Sequence, residues 1–147
     1  MNDDKLLLVQ NRRRNGSHDW STPGGVVDEG ETVIEGLTRE VAEETGLVVQ
    51  GWSPKLYGIY VDFADAEMTM EVHAHMATSF TGELTVDDPD GIVVQADFYD
   101  PAQVQVQLAE SPVWVREPLG DWLHTREPQE FRYRVTGSFA DPTIERL

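Results

Sequence analysis

Glu40, Glu43 and Glu44 fall within five consecutive residues of a stretch that reads as a helix from about Val33 to Thr45. At spacings of three and four they share one stripe of that helix. Like charges placed so cost a helix a few tenths of a kcal/mol per pair. Such a stripe is either an ordinary solvated face or a surface meant for a cation. Gly36 lies on the same face, where glycine costs about 1 kcal/mol relative to alanine, and a bare backbone beside carboxylates leaves room for something to approach. Upstream, Thr22-Pro23-Gly24-Gly25 can bring a main-chain carbonyl or amide close to a ligand. Clustered carboxylates with a carbonyl nearby suit a hard cation such as Mg2+ or Mn2+. No neighbouring His and Cys set of the kind zinc prefers is present. One or more ions held there would neutralise an anionic ligand and activate water.

The elements that must position these groups are legible in outline. Thr32 with Glu35 makes a capping box, and Gly46 is placed to end the helix in the left-handed conformation. Ile34, Leu37 and Val41 form an apolar stripe that would face a core. Lys5–Gln10 is a short apolar strand, and residues 11–25 form a loop rich in turn residues. Leu47–Phe63 and Met68–Phe80 read as two strands joined by residues 64–67, a hairpin-like pair. Residues 82–91 are an acidic loop, and Ile92–Asp100 is another strand. Pro101–Glu110 and Trp114–His124 are helical, and Phe131–Ser138 is a last strand with Phe131, Tyr133 and Val135 on one face. Strands and helices mix without regular βαβ alternation, which predicts a layered α/β (α+β) domain with a mixed sheet. No internal repeat, linker or low-complexity segment interrupts it.

Composition narrows the function. A chain of 147 residues predicts one domain, 1–147, with one core. The net charge of −16, from 11 basic and 27 acidic residues, opposes a sequence-independent grip on a nucleic acid polymer. A small anionic ligand remains compatible, because divalent ions between acid and phosphate dominate the local field. No apolar run approaches the roughly 20 residues that span a bilayer, so no membrane partner is expected. There is no cysteine, hence no disulfide framework, and a cytoplasmic location is the default.

Gly25, five residues, Glu31, seven residues and then Arg-Glu-Val-Ala-Glu-Glu-Thr-Gly-Leu (Arg39–Leu47) resembles the box of the Nudix hydrolases. Every fixed position is filled: Gly25, Glu31, Arg39, Glu40, Glu43, Glu44 and Gly46. Val41 and Leu47 supply the aliphatic positions, and the preceding Trp20-Ser-Thr-Pro-Gly-Gly is also similar to the family. The resemblance implies a Nudix-type α/β/α sandwich, a small-molecule nucleotide substrate and Mg2+ or Mn2+ as cofactor. It implies that water cleaves a nucleoside diphosphate linked to another group. Glu43 and Glu44 would be metal ligands, Glu40 a ligand or the base that activates water, and the Gly24 carbonyl a further ligand. Arg39 and Glu31 would brace loop and helix, with Gly25 close to the substrate.

Three departures matter. Gly36 stands where alanine is usual. Many members carry a further Glu before a late strand; here that loop is Asp87-Asp88-Pro89-Asp90-Gly91, so Asp90 is the candidate, against a plain turn. Family members also have one more strand before the first apolar strand, so that strand is missing, replaced or cut off. An open edge would follow, inviting Phe131–Ser138 to pair there, within the chain or across a homodimer.

Other features are weaker. Asn11–Gly16 is the one basic cluster, and Arg12 and Arg13 could touch phosphate. Trp20 could stack on a base or pack in the core. His73 and His75 share one face of their strand, where ordinary solvated histidines are expected rather than a metal pair. Met68, Met70, Val72, Ala74 and Met76 would face the core, with Trp114 and Trp122 anchoring a helix. The small size and the Trp-x-x-Pro-Gly-Gly segment resemble the MutT-like (deoxy)nucleoside triphosphate pyrophosphohydrolases. ADP-ribose or a nucleotide sugar is the alternative substrate, and a non-catalytic nucleotide-binding module the alternative of another class.

Overall fold

The computed structural model describes residues 4–138 and 140–147. The chain forms two compact units, residues 4–53 with 77–111 and residues 54–76 with 112–147.

In the first unit, β1 (Leu6–Arg12) is the middle strand of an antiparallel sheet, between β2 (His18–Ser21) and β7 (Val93–Tyr99). Both edges of β1 are thus taken, and the open edge predicted for it does not exist. Nor is the stretch 11–25 only loop: Arg12 continues β1 and His18–Ser21 returns along it. A second antiparallel pair joins β3 (Val48–Trp52) to β6 (Ala77–Thr81). Helix α1 (Val33–Thr45) matches the predicted bounds, with its capping box formed and Gly46 at φ 76°. Leu37 and Val41 enter an apolar cluster with Leu47, Val49, Leu7, Phe80 and Phe98. Ile34, one turn earlier, is exposed instead. Helix α2 (Pro101–Gln107) completes the unit.

In the second unit, β4 (Tyr57–Phe63) and β5 (Met68–Ala74) make the predicted hairpin around residues 64–67. The two long strands read from sequence each break in the middle, β3 from β4 and β5 from β6. Residues 131–138 belong to β8 (Gln129–Ser138), which runs parallel to β4, while β9 (Asp141–Arg146) closes the edge antiparallel. The sheet β5-β4-β8-β9 is therefore mixed. The alternation in β8 holds, with Phe131, Tyr133 and Val135 buried against β4 and Trp122 of α3 (Val113–Thr125). Met70, Val72, Ala74 and Trp114 also pack there, whereas Met68 is exposed. No helix among the described residues is long and apolar enough to cross a membrane.

Candidate active site

The site lies in the first unit and is organised by one guanidinium. The loop from Pro23 to Glu31 folds back onto α1 because glycine stands where it touches. A Cβ on Gly25 would strike the carboxylate of Glu40, and one on Gly36 would lie 3.3 Å from Glu31 Oε1 and 3.4 Å from the Val27 backbone. The space beside Gly36, expected to admit a ligand, is filled by the chain's own loop.

Arg39 braces that contact. It donates to Glu31 through Nε (2.9 Å) and Nη2 (3.0 Å), to Glu40 (3.0 Å) and Glu43 (3.3 Å) through Nη1, and to the Val26 carbonyl (3.2 Å). Asp28 adds a fourth carboxylate at 3.2 Å, a partner the sequence reading missed. Glu31 in turn accepts the Asp28 amide at 2.8 Å. The guanidinium and that amide hold the Glu31 carboxyl below the usual carboxylate range.

Glu40 and Glu44 are in the opposite condition. Burial raises Glu40, and the nearby charges of Glu43 and Asp90 add to the rise that Arg39 only partly offsets. Glu44 is 8% exposed. Burial pushes its carboxyl up to about 8, reinforced by Glu40, Asp88 and Glu43, although the Gly24 amide donates to it at 3.2 Å. These are hard oxygen donors, Glu40 half-buried and Glu44 buried, with Arg39 donating to the first and the Gly24 amide to the second. That chemistry fits a divalent cation. As the side chains stand, no three His, Cys, Asp or Glu among the described residues are gathered around one point for an ion. Arg39 and the Gly24 amide occupy oxygens that a cation would compete for.

The negative charges of the loop of residues 87–91 add to the rise at this cluster, Asp90 at Glu40 and Asp88 at Glu44. The turn expected there is present: the Gly91 amide donates to the Asp88 carbonyl at 3.0 Å, with Gly91 at φ 67°.

The remaining candidates differ. Arg12 is exposed, and its Nη2 reaches the Gly91 carbonyl at 3.4 Å. Arg13 is tied to Asp19 by two bonds of 2.7 Å. Trp20 pairs with Gln10, so it shares the even-numbered face of β1, opposite Leu7 of the α1 cluster. It meets Tyr99 edge to face, with ring centres 5.5 Å apart, and its carbonyl accepts the Ser111 hydroxyl. That is packing. His73 bonds Glu71 at 3.1 Å in the second unit.

The NUDIX domain profile matches residues 1–123. The chain is 33% identical over 104 residues to the Nudix hydrolase YvcI of Bacillus subtilis, covering 67% of this chain and 61% of that one. It is 34% identical over 79 residues to an oxidized purine nucleoside triphosphate hydrolase of Danio rerio, covering 54% of this chain and 50% of that one. The chain thus spans about half to three fifths of the length of these curated relatives. Among solved structures, a MutT protein from Bacillus halodurans superposes with a TM-score of 0.69 over 97% of this chain and 91% of its own, at 22% identity. That likeness speaks for the fold, a mixed α+β architecture of the MutT type. With the profile spanning most of the chain, and Glu31, Glu40 and Glu43 of the box gathered about Arg39, this chain belongs to the Nudix hydrolase family.

Proposed function

We propose that this chain is a Mg2+- or Mn2+-dependent pyrophosphohydrolase acting on a nucleoside diphosphate linked to another group. We take a (deoxy)nucleoside triphosphate as its substrate. The observation that carries this is the crowding of carboxyls at α1: Glu40 is raised by burial, with Glu43 and Asp90 adding to it, Glu44 by burial, with Glu40, Asp88 and Glu43 adding to it, and Arg39 offsets only part of the rise at Glu40. Glu43, Glu44, Glu40, the Gly24 carbonyl and Asp90 are the groups that would hold the ion. When bound, the ion supplies charge neutralisation for the pyrophosphate and lowers the pKa of water.

The chain's own groups do the rest. Arg39 and Glu31 hold the glycine loop against α1, so that the Gly24 main chain and the acids keep one geometry. Glu40, made more basic by its partial burial, accepts the proton of the attacking water. The water oxygen bonds to phosphorus, one bridging P–O bond breaks, and a triphosphate yields the nucleoside monophosphate and pyrophosphate. Arg12, exposed beside residues 87–91, is the basic group placed for phosphate; Arg13 is engaged with Asp19.

The choice of a triphosphate leans on the relative of Danio rerio, whose name states such an activity, and on the MutT-like fold. A panel of nucleoside triphosphates, oxidised purine nucleotides, ADP-ribose and nucleotide sugars with Mg2+ and Mn2+, reading released phosphate and pyrophosphate, tests it. Pyrophosphate from triphosphates is the expected product. Turnover of ADP-ribose alone would move the substrate, and no turnover of any of them would point to a binding module.

A further inference from the structure

In the second unit the last two strands hang on a short connection. Helix α3 ends at Thr125 and β8 begins at Gln129, so Arg126, Glu127 and Pro128 alone turn the chain from one to the other. Their freedom is unequal. A residue that precedes proline is pushed to extended backbone, and the proline ring fixes its own φ, which leaves the turn to Arg126. It takes φ 58° and ψ 25°, the left-handed region that favours glycine. Its amide donates to the Trp122 carbonyl at 2.7 Å, and its guanidinium lies 4.8 Å from the centre of the Trp122 ring.

Beyond that turn lies a hairpin that holds itself together. β8 and β9 pair antiparallel from Tyr133–Arg146 to Ser138–Asp141. The hairpin meets the rest of its unit along β4, in parallel from Tyr57–Gln129 to Phe63–Val135, and sends Phe131, Tyr133 and Val135 into the core there. Arg134 meets Asp62 at 3.6 Å, and the Gly137 amide donates to Asp65 at 2.6 Å. Lifted away, the hairpin would show its apolar face to water and leave β4 an open edge. The surface that fits it without loss is the β4 of another copy. With Arg126 extended, the chain would run on toward that copy, and the same contacts would be remade between chains.

We propose that the β8–β9 hairpin exchanges between two copies of this chain, with Arg126 as the hinge. Left-handed, Arg126 folds the hairpin back onto its own β4; extended, it seats the hairpin on the β4 of a second copy, which returns its own.

The test uses the full chain and two substitutions that act on the hinge in opposite directions. Arg126→Gly accepts the left-handed turn, and Arg126→Val, β-branched, resists it. Both remove the guanidinium, so its contact with Trp122 cancels from the comparison. The left-handed penalty at one residue is worth about tenfold in an equilibrium constant, and a dimer has two hinges, so the dimer dissociation constant of Arg126→Val should lie about a hundredfold below that of Arg126→Gly. Native mass spectrometry and size exclusion after slow concentration measure it. The absence of cysteine permits a second check that keeps the wild-type hinge. Asp62→Cys and Arg134→Cys are made as separate proteins, concentrated together and treated with a short bismaleimide. A cross-link from position 62 of one chain to position 134 of the other is expected, because these positions pair between β4 and β8. The double variant, in which the same link closes within one chain, is the control. No 62–134 link between chains overturns the proposal, whether the protein stays monomeric or joins by another surface. Equal dissociation constants for Arg126→Gly and Arg126→Val overturn it too, since Arg126 would then be no hinge.

Discussion

Two charged regions of this molecule are built on opposite plans. In the second unit, charges meet in ones and twos open to water: Lys55 with Glu130 at 2.8 Å, Arg134 with Asp62 at 3.6 Å, Arg146 with Asp121 at 3.0 Å and Glu117 at 3.9 Å. At α1 one arginine serves Asp28, Glu31, Glu40 and Glu43, while Glu44 has an amide and, among the described residues, no ion-pair partner. Paired surface charges are worth little, about 0–1 kcal/mol each. A half-buried surplus is costly unless a ligand relieves it. The contrast teaches that balance, rather than the density of acids, separates a site from a surface.

The contrast breaks most sharply at the ligands. Glu43→Gln and Glu44→Gln should each keep the fold and lower turnover by about a hundredfold or more, because the ion is asked for several kcal/mol of charge stabilisation. Turnover within tenfold of wild type in both variants would remove the assignment.

A smaller effect is expected in stability. Mg2+ at about a hundred times its Kd adds roughly 2.7 kcal/mol to the folded state, which raises Tm by about 5–10 °C in a domain of this size. Scanning calorimetry in EDTA and in excess Mg2+ measures the gap. In Glu44→Gln the metal-free protein should melt later than wild type, since the folded state no longer holds a proton that the unfolded chain would release, and the gap should shrink. Equal melting of wild type in both buffers would mean that the cluster holds no divalent ion.

The same residue gives a pH dependence. Burial lifts the Glu44 carboxyl from 4.5 to about 8, so the folded protein binds that proton more tightly than the unfolded chain does. The metal-free protein is then favoured at low pH, and its advantage is lost as pH rises from about 4.5 through about 8. Urea midpoints in EDTA across that window should fall more in wild type than in Glu44→Gln. At the small end, Lys55→Met and Glu130→Gln should each change stability by no more than about 0.5 kcal/mol. A larger loss from either would mean that the second unit's pairs are not the loose ones described.

The helix was legible almost to the residue because its signals are local: Thr32, Glu35 and Gly46 each act within one turn of themselves. The box was legible because its fixed residues lie within 23 positions, Gly25 to Leu47. What escaped depends on partners far along the chain. His18–Ser21 follows Asn15, Gly16 and Ser17 and looks like loop, yet it becomes a strand because β1 lies beside it. Residues 141–146 contain Pro142 and alternate poorly, but an edge strand tolerates proline, and β8 supplies its template. The parallel match of β8 to β4 joins segments about 70 residues apart, beyond any periodicity. At α1, Asp28 has no signature of its own; its contact appears only when the loop meets Arg39.

The imbalance at α1 also bears on how fast a substrate arrives. In the basic loop Arg13 is engaged with Asp19 while Arg12 stays exposed, and the chain carries −16 overall. A nucleotide of the kind proposed would therefore approach against a repulsive field rather than down an attractive one. Screening shortens that field to about 10 Å at 0.1 M salt. Added salt, which slows enzymes that steer anions inward, speeds diffusional encounter here.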